Sequence, residues 1–62
     1  MIGRRIKNRR EELGLTQPEL AEISKLSQGY ISRIESGKFI PKASTLIAIA
    51  TSLKMSYHEL IA

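Results

Sequence analysis

The chain has 62 residues, of which 42% are hydrophobic, which suits one small folded domain and excludes a wholly disordered tail. It contains no cysteine, so disulfides and thiolate metal sites are excluded. No apolar run reaches the roughly 20 residues of a membrane span, and no apolar signal segment follows the basic first residues. We therefore expect a single domain over residues 1–62 that is soluble and cytoplasmic.

The charge is positive and unevenly distributed. Ten basic residues against six acidic ones give a net charge of +4. Half of the basic residues lie in the first ten positions, namely Arg4, Arg5, Lys7, Arg9 and Arg10. An excess of positive charge on a small domain suggests a polyanionic partner, although a solvated helix face explains a charge cluster equally well.

The first predicted helix runs from Ile2 to about Leu13. Ile2, Ile6 and Leu13 share one side at helical spacing, which indicates a face that packs on a core. Gly14 follows as a C-terminal stop, since glycine takes the left-handed conformation without strain.

The second helix has a strong start signal. Thr16 suits the N-cap, and Glu19 three residues later completes a capping box. Leu15 and Leu20 form the matching hydrophobic staple. Pro18 lies in the first turn, where its missing N–H costs nothing.

A turn over residues 25–27 leads to the third helix, with Ser27 as its cap. Ile31 and Ile34 are spaced to face the core, and Gly37 supplies the C-terminal stop. The second and third helices are therefore short and joined by a tight turn.

Arg10 lies on the core-facing side of the first helix, and an arginine there must meet a carboxylate or reach solvent. Glu35, at the edge of the core face of the third helix, is the expected partner. We predict an ion pair between Arg10 and Glu35.

Two further helices complete the chain. Pro41 disfavours helical geometry at the preceding residue, so a loop separates the third helix from a fourth that starts near Ala43. Ser56 and Glu59 form a second capping box that opens a short fifth helix. The fourth helix closes the core with Leu46, Ile49, Ala50 and Leu53. The predicted fold class is all-α, with five helices and no strand.

A family pattern runs through these elements, from about Ile6 to Leu60. Its residues are Gln17, Leu20, Ala21, Ser27, Gln28, Ile31, Ser32, Ile34, Glu35, Gly37, Pro41, Leu46, Ile49, Ala50 and Leu53. The chain resembles the phage repressor and Cro-like helix-turn-helix family, often called the XRE family. The resemblance implies a lambda-repressor-like domain whose second and third helices form the helix-turn-helix. It also implies a transcriptional regulator, usually a repressor, that binds a two-fold operator as a dimer with half-sites roughly 34 Å apart.

In this family the third helix reads bases in the major groove. Gln28 carries an amide that can pair with adenine N6 and N7, the alternative being an exposed helix-start residue. Arg33 suits guanine O6 and N7 or a phosphate, and the sequence leaves both open. Gly29 makes room for Gln28 or for a thymine methyl. The expected base contacts are Gln28, Gly29, Arg33, Ser32 and Ser27.

Phosphate contacts position such a domain without reading sequence. The resemblance implies that Gln17 braces Gln28 and reaches a phosphate. Tyr30 has two interpretations, a hydroxyl on a phosphate or a ring that covers the core edge. The expected phosphate contacts are Gln17, Tyr30, Ser36, Lys38, Lys42 and Arg10. Further contacts from Arg4, Arg5 and Arg9 have solvation as an equal alternative.

Two positions depart from the family pattern. Lys25 stands where glycine is usual, so either a lysine is left-handed, at a cost of about 1 kcal/mol or more, or the turn is rearranged. Lys42 stands where serine is common before the fourth helix.

Several apolar residues exceed what so small a core needs. In the family the C-terminal helices often pair about the two-fold axis, which suggests a homodimer that is weak without DNA. The expected interface consists of Ile47, Met55, Tyr57 and Ile61. Phe39 and Ile40 can join it or pack under their own loop.

Catalysis has little support in the sequence. The single histidine, His58, lies in the first turn of the last helix without metal-ligand spacing or a glycine-rich phosphate loop. We expect no enzyme activity, cofactor, metal or small-molecule ligand.

Double-stranded DNA is the leading partner, and an interaction module of the same fold, such as an antitoxin or coactivator, is the alternative. Nonspecific RNA or membrane-surface binding through the first helix is a third hypothesis, but that helix lacks an adequate apolar face for membrane insertion.

Overall fold

The computed structural model describes residues 1–62 and contains five α-helices and no strand. The helices are α1 (Ile2–Glu12), α2 (Gln17–Ser24), α3 (Gln28–Glu35), α4 (Ala43–Ser52) and α5 (Tyr57–Ile61). The predicted all-α class and the helix-turn-helix of α2 and α3 are confirmed. None of the helices combines the length and apolar character that crossing a membrane requires.

Both predicted capping boxes are present. At α2, the Glu19 N–H donates to the Thr16 hydroxyl at 3.2 Å, and the Thr16 N–H donates to the Glu19 carboxylate at 2.8 Å. The same exchange opens α5 between Ser56 and Glu59, at 3.0 Å and 2.8 Å. The hydrogen bond from the backbone N–H of Ser56 lowers the pKa of Glu59 below its usual range. These local bonds therefore start two of the helices where the sequence predicts.

The first four helices end alike, with a left-handed residue after the last turn. These residues are Gly14 (φ 73°), Lys25 (φ 61°), Gly37 (φ 80°) and Lys54 (φ 58°). In each case the N–H of the next residue donates to the carbonyl five positions earlier, at 2.9–3.0 Å. Lys25 thus takes the first of its two predicted alternatives, and the left-handed Lys54 was not predicted.

The core is shared by all five helices. α1 packs against α3 and α5, while α4 packs against α2 and α5. Partly buried side chains, including Leu15, Leu26 and Met55, cover its edges. The buried apolar residues are Ile6, Leu20, Ala21, Ile31, Ile34, Leu46, Ile49, Ala50, Leu53 and Leu60. The predicted core faces of α3 and α4 are therefore correct.

α1 crosses the end of α3 at very short range. Gly3 is buried, and a Cβ atom there would overlap the backbone oxygen of Ile34 and lie 3.0 Å from that of Glu35. Glycine is needed here because the two backbones approach too closely for a side chain.

Two arginines of α1 hold the last two helices. Arg9 Nε donates to the carbonyl oxygen of Leu53 at 3.0 Å, and Arg5 Nη1 donates to that of Leu60 at 3.2 Å. Cationic donors suit these carbonyls because the C-terminus of a helix carries partial negative charge. Arg5 and Arg9 therefore stabilise the fold. The two alternatives predicted for them, phosphate contact and solvation, do not include this role.

Candidate nucleic-acid interface

α3 has two different sides. Ile31 and Ile34 are completely or almost completely buried, while Gln28, Ser32 and Arg33 are exposed. With 3.6 residues per turn, these three polar residues project away from the side that packs on the core. The predicted base-contacting residues therefore share one solvent-facing side of the helix, together with exposed Gly29 and Ser27.

The first turn of α3 is set by Ser27. Its hydroxyl oxygen accepts a hydrogen bond from the Tyr30 N–H at 3.1 Å, which leaves the hydroxyl proton free to donate outward. This cap fixes where the helix begins and thus the direction in which Gln28 leaves it.

Gly29 makes room for a residue of its own helix. The Arg33 Nη1 atom lies 4.0 Å from the point where a Cβ of Gly29 would be. The guanidinium therefore extends toward the N-terminus of α3, and it forms no ion pair with any carboxylate of the chain. The prediction that Gly29 accommodates Gln28 or a thymine methyl omitted this neighbour, which lies one helical turn away.

Arg10 and Glu35 join α1 to α3 through a two-pronged pair. Arg10 Nε donates to Glu35 Oε2 at 2.8 Å and Arg10 Nη2 donates to Oε1 at 3.1 Å. A third nitrogen, Nη1, donates to the Leu15 carbonyl oxygen at 2.8 Å. The hydrogen bonds to Glu35 raise the pKa of Arg10, so the guanidinium stays charged.

The predicted phosphate contact by Arg10 does not fit this geometry. The residue is only 8% exposed, and its guanidinium is directed at Glu35 and the Leu15 carbonyl. A phosphate would have to break these bonds, and separating a buried pair leaves an uncompensated charge. Arg10 therefore supports α3 from α1 and does not form part of the surface that faces a ligand.

Gln17 also bonds to Glu35. Its Nε2 donates to Glu35 Oε1 at 3.1 Å, and no hydrogen bond joins Gln17 to Gln28 in this structure. The amide expected from the resemblance to brace Gln28 is thus held from the other side, by the acidic residue of α3.

Of the two interpretations of Tyr30, the structure supports the ring that covers the core edge, and the phosphate contact stays a prediction. Its ring lies against Phe39, with the ring centroids 5.2 Å apart and the planes tilted by 52°. Both residues pack on the edge of the core, while the Tyr30 hydroxyl makes no side-chain hydrogen bond to the rest of the chain. The ring therefore covers the core and leaves the hydroxyl available to a ligand.

The charge around the exposed side of α3 is positive. Glu35 is the only acidic residue of α3, and its side chain is 3% exposed and paired with Arg10. Arg33, Lys38 and Lys42 are exposed and take part in no ion pair. The nearby Ser36 hydroxyl donates to the Arg33 carbonyl oxygen at 3.1 Å and keeps its lone pairs outward. The surface offers donors and cations, as an anionic ligand requires.

A family profile described as helix-turn-helix matches residues 6–60 of this chain. The chain belongs to that helix-turn-helix family. Among curated proteins it is 40% identical over 60 residues to an immunity repressor protein of Bacillus phage phi105, a match that covers 97% of this chain and 42% of the phage protein. The chain thus spans less than half the length of that relative.

Two solved structures have closely similar backbones. SinR, described as the master regulator for biofilm formation and solved in complex with DNA, matches with a TM-score of 0.95 and 36% identity over 100% of both chains. A SinR/SinI protein complex matches with a TM-score of 0.92 and 37% identity, over 98% of this chain and 60% of that one.

The apolar residues predicted for a dimer interface divide into two groups in this helix-turn-helix domain. Ile47 and Ile61 are 49% and 41% exposed, whereas Met55 and Tyr57 are partly buried against the core. Phe39 packs on the core as well, and Ile40 remains 72% exposed. Exposed apolar surface on α4 and α5 therefore centres on Ile47 and Ile61.

Two hydrogen bonds that were not predicted from the sequence join distant parts of the chain. Arg9 and Leu53 are 44 positions apart, and Arg5 and Leu60 are 55 apart. No local pattern indicates such pairs. The close approach at Gly3 was likewise missed, although a glycine within a helix is a signal that a neighbour lies close.

Proposed function

We propose that this domain is a sequence-specific double-stranded DNA-binding transcriptional regulator, most simply a repressor, with α3 in the major groove. The observation that carries the proposal is the exposed side of α3, where Gln28, Ser32 and Arg33 project opposite the core with no exposed carboxylate among them. The likeness to SinR in complex with DNA supports it.

In this proposal the contacts divide by chemistry. Gln28 pairs with adenine N6 and N7, worth about 1–3 kcal/mol of discrimination, and Arg33 meets guanine or a phosphate. The phosphates of the DNA backbone are bound by Lys38, Lys42, Ser36 and the free Tyr30 hydroxyl. No catalytic step is proposed, and the site of action is the cytoplasm, at the bacterial or phage DNA.

The proposal is tested by selecting bound sequences from a random DNA pool at two salt concentrations. We expect a two-fold motif and an affinity that falls steeply with salt, because phosphate contacts release counterions. Binding to all sequences alike would favour nonspecific charge-driven binding, and no binding would favour the interaction module.

Two variants assign the contacts within the selected motif. Gln28→Ala should relax the preference at one base pair by about 1–3 kcal/mol, while Lys38→Ala should weaken binding to every sequence and lower the salt slope by about one. Equal losses on all sequences for Gln28→Ala would contradict its assignment as the base-reading residue.

We also propose that two domains pair through Ile47 and Ile61 on the operator. Only two large apolar side chains are exposed on α4 and α5, so the dimer is weak in solution and firmer on DNA, where both copies are held side by side. Ile47→Ser should reduce the cooperativity of operator binding and shift sedimentation toward monomer. Ile23→Ser is the matched control, since Ile23 is similarly exposed, at 51%, but lies on α2. Equal effects of both variants would contradict this interface.

A protein partner is the second candidate, because a SinR/SinI complex is among the similar structures. An interaction module of this fold would keep its binding when Gln28 and Arg33 are replaced, whereas a DNA reader would not. Nonspecific binding through α1 is disfavoured because Arg5, Arg9 and Arg10 already donate to groups within the fold.

A further inference from the structure

An apolar cavity of about 160 Å³ lies where the start of α1 meets the end of α3 and the loop that follows α3. Two of its lining residues, Gly3 and Gly37, have no side chain, so neither fills the space. Ile34 in its lining is only 1% exposed, whereas Ile40 is 72% exposed. The cavity therefore reaches from the edge of the core to solvent. Its other lining residues are Met1, Ile2 and Phe39.

The size of this apolar cavity restricts what can fill it. Sites for drug-sized ligands measure about 300–1,000 Å³, which is well above this volume. A cavity of about 150 Å³ with apolar walls accepts one benzene ring. We therefore expect one large apolar side chain, such as leucine, isoleucine or phenylalanine, to fit here.

The surface around the apolar cavity carries unpaired positive charge. Arg4, Lys38 and Lys42 each lie within two residues of its lining in sequence, are exposed, and form no ion pair. The only carboxylate equally near in sequence is that of Glu35, which is 3% exposed and paired with Arg10. An apolar side chain that enters the cavity is therefore best accompanied by carboxylates.

A second cavity, of about 340 Å³ and without apolar walls, adjoins the first between α1 and α3. Arg4 and Glu35 line it, and they directly follow Gly3 and Ile34 of the apolar cavity. Both of its carboxylates lie within 4.0 Å of Arg10, whereas neither of its two cations forms an ion pair. The unpaired charges of this cavity are therefore positive as well. Its remaining lining residues are Lys7, Asn8 and Glu11.

We propose that these two cavities are the docking site for a protein partner with an acidic amphipathic segment. One large apolar side chain of the segment fills the apolar cavity, and carboxylates beside it pair with Lys38 and Arg4. A second copy of the domain suits this face less well, because each copy has a net charge of +4 and the two repel each other. An acidic partner is attracted by the same charge.

Docking at this site also regulates DNA binding, a consequence that rests on the function proposed above. Lys38 and Lys42 are phosphate contacts in that proposal, so the acidic segment and the DNA backbone compete for the same cations. The apolar cavity adds affinity that only the protein partner uses, since DNA phosphates gain nothing from it. The partner therefore acts as an antagonist of operator binding.

The first test needs no DNA. Random short peptides are selected on the immobilised domain, and we expect binders with acidic residues around one large apolar residue. When such a peptide is added, the methyl signals of Ile2, Ile34 and Ile40 should shift, while those of Ile47 and Ile61 should not. A selection without acidic binders, or shifts confined to Ile47 and Ile61, overturns the proposal.

The second test uses exposed positions, where substitution carries little risk to folding. Ile40→Ser should weaken peptide binding about tenfold, because it removes a wall of the apolar cavity. Lys38→Met should weaken it by no more than about fivefold and reduce its salt dependence. The matched control is Ile23→Ser, since Ile23 is 51% exposed on α2 and should not contribute. Equal losses for Ile40→Ser and Ile23→Ser would show that the peptide does not use the cavity.

The third test separates docking from DNA binding. Arg33→Met should weaken operator binding and leave peptide affinity unchanged, Ile40→Ser should do the reverse, and Lys38→Met should weaken both. The peptide should displace the unchanged protein from its selected operator. A peptide that docks at the cavity without displacing DNA contradicts the regulation and leaves the docking site. If no operator is selected, the proposed function fails, while the peptide tests still decide the docking site.

Two other occupants of the apolar cavity are distinguished with the same variant. Self-association in sedimentation that Ile40→Ser abolishes and Ile47→Ser does not would assign this face to a second copy. Flotation with phosphatidylglycerol vesicles that Ile40→Ser abolishes would assign it to a membrane. We expect neither, and either result overturns the assignment to an acidic protein segment.

Discussion

Lys25 is a single residue held in an unfavourable backbone conformation. Its φ of 61° and ψ of 39° place it in the left-handed region, where a Cβ approaches the following carbonyl oxygen. The turn nevertheless forms, because the Leu26 N–H donates to the Ala21 carbonyl oxygen at 2.9 Å and packing of both helices holds the ends. The helix-turn-helix therefore retains strain at the position where its family usually has glycine.

Relieving this strain should stabilise the domain. Lys25→Gly should raise the free energy of unfolding by about 1 kcal/mol, and the midpoint of thermal unfolding by about 4–8 °C for so small a domain. Lys54→Gly should act similarly, since Lys54 has a φ of 58°. Lys7→Gly, at an exposed position inside α1, is the control and should lower stability by about 1 kcal/mol. A lower midpoint for Lys25→Gly would show that the lysine is not strained.

At the scale of elements, each helix is bounded by local devices but positioned by its neighbours. Leu15, Leu26 and Met55 each follow a left-handed residue and precede the N-cap of the next helix, so one apolar residue serves both ends of a connection. The crossing of α1 and α3 is different, because it depends on the missing side chain of Gly3.

Gly3→Ala tests that crossing. The added Cβ would overlap the Ile34 backbone oxygen, so we expect α1 to shift and the free energy of unfolding to fall by about 1–3 kcal/mol. Denaturant titration measures the change. Asn8→Ala, at an exposed position of the same helix, should change stability by no more than about 0.5 kcal/mol. A stabilised Gly3→Ala protein would mean that helix propensity outweighs the contact.

For the whole molecule, the Arg10–Glu35 pair decides how α3 is presented. The two side chains are 10% and 3% exposed, so neither charge is well solvated if its partner is removed. Arg10→Met or Glu35→Met alone should cost about 3–5 kcal/mol, and the double variant much less than the sum. A double-mutant cycle of denaturant unfolding measures the coupling.

The exposed pair of Arg9 and Glu12 is the control for that cycle. Their charged atoms are 3.4 Å apart and the side chains are 34% and 67% exposed, so coupling of at most about 1 kcal/mol is expected. Comparable coupling in the two cycles would contradict the view that burial makes the Arg10–Glu35 pair special.

The sequence by itself determined the features that depend on neighbours in the chain. The caps at Thr16 and Ser56 and the core sides of α3 and α4 follow from spacings of three and four residues. The same spacings place Gln28, Ser32 and Arg33 on the exposed side of α3. Even the Arg10–Glu35 pair was predictable, because a charge on a core-facing side requires a partner and only one carboxylate was suitably placed.

Only the tertiary structure decided which polar atoms are already occupied. Arg10 is buried and bonds to the Leu15 carbonyl oxygen, and Arg9 bonds to the end of α4. The Gln17 amide bonds to Glu35. These outcomes depend on the distance and direction between helices, which differ for sequences with the same local pattern. The donor–acceptor distance of a hydrogen bond varies by only a few tenths of an ångström. The packing of the helices, and not the pattern within each helix, therefore determines which acceptor each donor reaches.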